Sequence, residues 1–154
     1  MDISALKRDA KAVAAGQWIG DLPGMEDARL CVRGLSSPSV VVMRSAKERK
    51  VSKKGRNADG SLKPDIARKI LGEVLFEGVL IDWDGLTSEG KPLPYDKALA
   101  EQWCTDPDYE AFADAVVYAA GIVDRGIADT TEDVAGNSKR SSAGNSSGAS
   151  APKD

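Results

Sequence analysis

Histidine is absent from this chain of 154 residues. That absence removes Ser–His and Cys–His nucleophile activation, the usual zinc ligand sets and the commonest general base. Cysteine is scarce: Cys31 and Cys104 stand far apart and in no C-x-x-C arrangement. They read as buried free thiols, not as a disulfide framework or a redox pair. No apolar run approaches the roughly 20 residues that a membrane-spanning helix needs. The opening MDISALKRDAKAV lacks the basic-then-apolar order of a secretory signal, so the cytoplasm is the expected compartment. Aromatic residues make up only 5% of the chain, and each of Trp18, Trp83 and Trp103 is expected in the core.

What is present is charge, unevenly distributed. The net charge is −3, yet residues 1–56 carry twelve Lys/Arg against six Asp/Glu, and the remainder carries nine against eighteen. Such asymmetry predicts two electrostatic faces, suited to self-association or to docking on a charged partner. The cations concentrate at Arg44, Lys47, Arg49, Lys50, Lys53, Lys54 and Arg56, interrupted by Glu48 alone. Phosphate contact is one use of such a run. No aromatic side chain is interleaved, so base stacking is not expected. An acidic protein surface, or the acidic half of a neighbouring subunit, is the favoured partner and nucleic acid the disfavoured one.

Ile3 to Ala15 reads as a short helix or N-terminal arm. Gln17–Leu22 and Ala28–Leu35 read as the strands of a hairpin turned by PGMED, with Trp18 packing across the pair. Ser37-Pro38 has the form of a helix start, a capping hydroxyl before a first-turn proline. The following Val40–Met43 run is compatible with strand or helix, and the cap together with the basic continuation favours helix. A polar loop, Lys53–Lys63, precedes a helix opened by Pro64 and Asp65. There Ile66, Ile70, Leu71, Val74 and Leu75 recur at helical spacing. Gly78 is expected to disrupt it, and Val79–Ile81 to continue extended. Asp96 is placed to cap a helix carrying Leu99 and Trp103. Asp106-Pro107 opens the last helix, whose stripe is Tyr109, Phe112, Ala113, Val116, Ala120, Val123 and Ile127, with Arg125-Gly126 as its stop. The predicted fold is α+β: an N-terminal antiparallel β-hairpin packed on a small helical bundle over residues 1–128. A disordered Ser/Gly/Ala-rich tail over 129–154 follows, since it has almost nothing to bury.

The sharpest local pattern is Asp82-Trp83-Asp84-Gly85-Leu86. D-x-D-G resembles part of a calcium loop, but the EF-hand spacing and its terminal Glu are missing. A tight turn explains it better, with Gly85 at positive φ, Trp83 in the core and the carboxylates on local amides. Asp106, Asp108 and Glu110 form a carboxylate set that a helix start accounts for without catalysis. No nucleophile stands with a base, so the chain reads as non-enzymatic, with no catalytic residue, no cofactor and no metal site.

The order of these motifs resembles the tail assembly chaperones of long non-contractile-tail bacteriophages. The resemblance rests on the DWDGL block at Asp82–Leu86 and on Gly90-Lys91-Pro92-Leu93-Pro94-Tyr95. It extends to Asp106-Pro107 before a helix with Tyr109 and Phe112, and to the hairpin residues Gly16, Trp18, Arg29, Val32, Arg33, Gly34 and Leu35. It implies a protein of the infected host cytoplasm that binds the tail tape measure protein and keeps it soluble while tube subunits polymerise. Such a protein is absent from the finished virion. The tail tube protein is a further partner that the resemblance implies; further copies of the chain are expected from the charge asymmetry, and no membrane contact from the lack of long apolar runs. The client surface is expected on the last helix, at Tyr109, Phe112 and Val116. Two alternatives stand beside this: a virion structural protein of the tail or head–tail connector, and a nucleic-acid-binding regulator using residues 44–56.

Overall fold

The computed structural model describes residues 1–126. The stretch predicted to be a disordered tail, and the expected domain end at residue 128, lie outside the described residues. The described chain mixes helix and strand. A short 3-10 turn at Ile3–Leu6 leads to α1 (Ala10–Ala15), then β1 (Gln17–Ile19) and β2 (Arg29–Val32). Next come α2 (Pro38–Arg49), a 3-10 turn at Lys53–Gly55 and α3 (Pro64–Val74). A π-helical turn at Leu75–Val79 feeds β3 (Leu80–Asp84), followed by the two-residue strands β4 (Thr87–Ser88) and β5 (Lys91–Pro92). The described part closes with α4 (Lys97–Thr105), a 3-10 turn at Pro107–Tyr109 and α5 (Glu110–Arg125).

The two N-terminal strands pair antiparallel, Gln17 opposite Val32 and Ile19 opposite Leu30. They are shorter than the sequence predicts, and the antiparallel pair does not stand alone. β3 adds on the far side of β2 to make a sheet of order β1-β2-β3, with Leu30 opposite Trp83 and Cys31 opposite Asp82. A two-stranded ribbon is marginal alone, and a third strand with a covered face supplies what it lacks. The inner face presents Ile19, Leu30, Val32, Leu80 and Trp83, all buried.

α5 is the element against which that face packs. Its residues Phe112, Ala113, Ala115, Val116, Ala119, Ala120 and Val123 are buried. Four of the seven are alanines, which bring neighbouring elements close to the helix axis. Gly126, at φ +73°, ends the helix in the left-handed conformation that glycine adopts without strain.

Two local expectations are corrected. Ser37 occupies the N-cap of α2 but its hydroxyl makes no capping bond; it lies 3.3 Å from the Ser39 hydroxyl instead. Gly78 does not break α3 outright. The helix widens into the π turn, and Gly78 there faces α2, with the Met43 sulfur 3.1 Å from where a Cβ would stand. The freed Gly78 carbonyl accepts a hydrogen bond from the Arg33 guanidinium at 3.2 Å.

Candidate functional site

The Asp82–Leu86 block is where β3 turns into the loop that leads to α4. Trp83 stands opposite Leu30 and points inward, 4% exposed, and a β-bulge at Cys31/Val32 returns Leu80, opposite Val32, to the same face. The Trp83 indole N–H donates to the Leu93 carbonyl at 2.8 Å, which fixes the Gly90–Tyr95 loop over the ring. Trp103 of α4 stacks on it at 5.1 Å and 28°, Tyr95 tilts against it at 4.9 Å, and Phe112 of α5 meets it edge-on at 6.0 Å. Tyr109 extends the cluster outward, 5.9 Å from Trp103, and is 41% exposed. Aromatic pairs in these geometries contribute about 0.5–1.5 kcal/mol each beyond buried area. The block thus joins sheet, loop and two helices, and reaches the surface at one tyrosine.

The acidic residues of the block face the other side of the sheet. Asp82 accepts from the Trp83 backbone N–H at 2.8 Å. Asp84 pairs with Arg29 at 3.0 Å, and the same guanidinium lies 4.9 Å from the Trp18 ring centre. Gly85 has φ +83°, and Ala28 lies 3.1 Å from where its Cβ would be, so both conformation and space require glycine. Leu86 is half-buried, and its carbonyl accepts from Leu93 N–H at 2.8 Å. Among the described residues no group of three or more Cys, Asp or Glu is placed to hold a metal ion.

Trp18 is not core. It packs across the β1–β2 pair, onto Arg29, but on the outer sheet face, where it is 39% exposed. Phe112 and Val116, expected at a client surface, are buried against the sheet and the aromatic cluster. Of the three proposed contact residues only Tyr109 presents surface. Tyr118, also on α5, is exposed and was not singled out by the sequence.

The basic segment divides in two. Lys47 bridges Glu73 and Glu77 at 3.2 and 3.0 Å, and its pKa is raised, chiefly by the hydrogen bond to Glu77. Arg44 pairs with Glu48 at 3.2 Å. Arg56 donates to the carbonyls of Glu48, Gly60 and Val51, closing the loop after α2. These three cations serve the fold. Among the described residues Arg49, Lys50, Lys53 and Lys54 have no ion-pair partner.

Asp124 is a residue that sequence reasoning missed. Its carboxylate accepts from the backbone N–H of Leu35 and of Ser36, both at 3.1 Å, and from the Ser36 hydroxyl at 2.6 Å. Arg8 joins the group by donating to the Asp124 carbonyl at 2.6 Å and to the Ser36 hydroxyl at 3.0 Å. A side chain on Gly34 would run into this carboxylate and into Val13. The available signal is that an acid in the last turn of a helix opposes the dipole.

No curated protein matches the chain, and no solved structure does. Residues 35–137 match the protein family described as YdaY prophage protein. That span includes the Asp82–Leu86 block, the aromatic cluster and the whole of α5, and it is more than half of the sequence. The chain belongs to the YdaY prophage protein family and is of phage origin.

Proposed function

We propose that the chain is a tail assembly chaperone that binds the tail tape measure protein and keeps it soluble in the host cytoplasm during assembly of the tail tube. The observation that carries the reading is the Asp82–Leu86 block with its aromatic cluster, which ends in an exposed tyrosine on a helical surface. The phage origin of the family supports it. A client that is long, helical and apolar is served by a shallow aromatic shelf of moderate affinity, not by a deep cleft. Tyr109, backed by Trp103, forms such a shelf. Many copies along one client raise avidity without tight individual sites, which allows release as tube subunits take over.

Co-expression with the tape measure protein of the same phage tests this. The expected result is a soluble complex that co-elutes, weakened by Tyr109→Ala. No gain in solubility together with no co-elution rejects the proposal. A virion structural subunit is the alternative, and purified particles separate the two: a chaperone is missing from them, whereas a tail or connector subunit is present at fixed copy number.

A further inference from the structure

α2 is fixed to the fold by one face only. Val40 is buried, Met43 meets Gly78, and Lys47 bridges Glu73 and Glu77. The opposite face carries Val41, Val42, Ser45 and Arg49, at the i, i+1, i+4 and i+8 spacing of one helical stripe. Val41 is 48% and Val42 67% exposed. Valine is a poor helix former, and burial offsets little of that cost here. Arg49 is exposed too, and Lys50, Lys53 and Lys54 continue the cationic end beyond the helix. None of these four cations has an ion-pair partner among the described residues. Glu48, at the edge of the stripe, is taken up by Arg44. The face is therefore apolar near its start and cationic at its end.

The chain leaves the described structure beside the start of this face. The Asp124 carboxylate accepts from the N–H groups of Leu35 and Ser36, the two residues before the α2 N-cap Ser37, and Gly126 follows two residues later. Beyond it stands Ile127-Ala128-Asp129-Thr130-Thr131-Glu132-Asp133-Val134, with three carboxylates and no cation before Lys139. Its order matches that of α2, an apolar start and then charge of the opposite sign. The lengths match as well. Pro38 to Arg49 rises ~17 Å, and the chain from Gly126 to Asp133 spans up to roughly 24 Å when extended. Both α2 and this segment lie within residues 35–137, the span shared with the family, whereas the Ser/Gly-rich remainder falls outside it.

We propose that residues 127–134 lie along the outer face of α2 in the same molecule, with Ile127 against Val41 and Val42, and with Glu132 and Asp133 facing Arg49, Lys50, Lys53 and Lys54. Composition predicts disorder after residue 128 because little there can be buried; a contact led by charge needs little burial. A short tether presents the segment at an effective concentration in the mM range, so exposed pairs that are individually weak suffice. The contact closes the cationic end to acids from outside, and salt opens it. It is independent of the chaperone reading and is tested on the chain alone.

Carbodiimide coupling of the dilute full chain, read by peptide mass spectrometry, joins a carboxylate to an amine only where the two touch. The expected result at ~50 mM salt is a link within one molecule from Glu132 or Asp133 to Lys50, Lys53 or Lys54, lost at ~500 mM. Lys53→Glu with Lys54→Glu is expected to lower the yield at least ~fivefold, as is Glu132→Lys with Asp133→Lys. The four changes together restore opposite charges, and the link returns with amine and carboxylate exchanged. Val41→Ser with Val42→Ser lowers the yield without abolishing it. Links spread evenly over the exposed Lys7, Lys63, Lys91 and Lys97 overturn the proposal. An absence of links to residues 50–54, or a combined variant that does not recover them, does the same. Links that join two molecules overturn it in favour of a second copy. Lysines that couple to no carboxylate of the chain, yet are shielded from acetylation by duplex DNA, overturn it in favour of a phosphate backbone.

Discussion

Gly72 stands in the last turn of α3, just before the helix continues as a π turn, and alanine has the better intrinsic propensity there by about 1 kcal/mol. Judged by propensity alone, Gly72→Ala stabilises the protein. Its surroundings reverse the sign. A Cβ there would lie 2.6 Å from the Cys104 carbonyl oxygen and 3.3 Å from Thr105 Cα, both backbone atoms of α4, against an ordinary contact of at least 3.4 Å. No rotamer change relieves a clash with backbone, so α4 must move away. It is poorly free to do so: Ala100 and Cys104 are buried and Trp103 is stacked on Trp83. Overpacking costs about 1–3 kcal/mol, and an approach of 2.6 Å to a backbone oxygen belongs in the upper part of that range, at about 2–3 kcal/mol. Set against the propensity gain, the net loss is ~1–2 kcal/mol, or a melting temperature lower by roughly 4–8 °C. Gly121 of α5 supplies the control. The one atom near its Cβ position is the flexible Arg125 guanidinium nitrogen at 3.4 Å, so Gly121→Ala is expected to stabilise by about 0.5–1 kcal/mol. Both variants are measured by urea and thermal unfolding of the full chain. A neutral or stabilising Gly72→Ala refutes the close α3–α4 crossing.

Asp124→Ala removes the acceptor of three hydrogen bonds and is expected to cost about 2 kcal/mol, with faster amide exchange at Leu35 and Ser36; Asp124→Asn, which keeps one oxygen, recovers part of the loss. Trp83→Phe leaves the Leu93 carbonyl without its 2.8 Å donor and shrinks the stack on Trp103. The expected cost is about 2 kcal/mol in a urea titration, together with a weakened near-UV signal from the remaining cluster. Burial raises the thiol of Cys31 to about 11, with the Asp82 charge adding to it, and that of Cys104 to about 12, against an ordinary 9.0. The folded chain then holds protons that the unfolded chain releases, so stability is full below pH 9 and falls as pH rises through 11. The urea midpoint should decline over that range, and less steeply when both cysteines are replaced by alanine.

The residues whose role is local were legible in the sequence. Asp96 caps α4 through the Ala98 and Leu99 amides at 2.8 and 3.1 Å. Asp106 caps the turn before α5, and Gly126 ends that helix. Each is written in a few consecutive residues. Non-local choices were not legible. That β3 joins the N-terminal strands depends on pairing Cys31 with Asp82, which no short-range pattern encodes. Trp18 reads as core by its chemistry, yet strand alternation turns it outward once Ile19 and Leu30 take the inner face. Phe112 and Val116 were placed on a stripe correctly, but a stripe does not say whether the molecule's own sheet or a partner covers it. Asp124 was hidden for the same reason: its donors, Leu35 and Ser36, lie at the other end of the chain.

The position of α5 constrains the order in which this protein is completed. The inner surface of the sheet is begun early in synthesis, by β1 and β2, and completed by β3, while the helix that covers it is the last of the described elements to emerge. Until the final turn of α5 leaves the ribosome, Arg8, Leu35 and Ser36 wait for the carboxylate and carbonyl of Asp124. A nascent chain cut short before that turn holds the sheet without its cover. Quality control therefore has a simple object to recognise, an uncovered apolar sheet, and a finished molecule is one in which residue 124 has met residue 8.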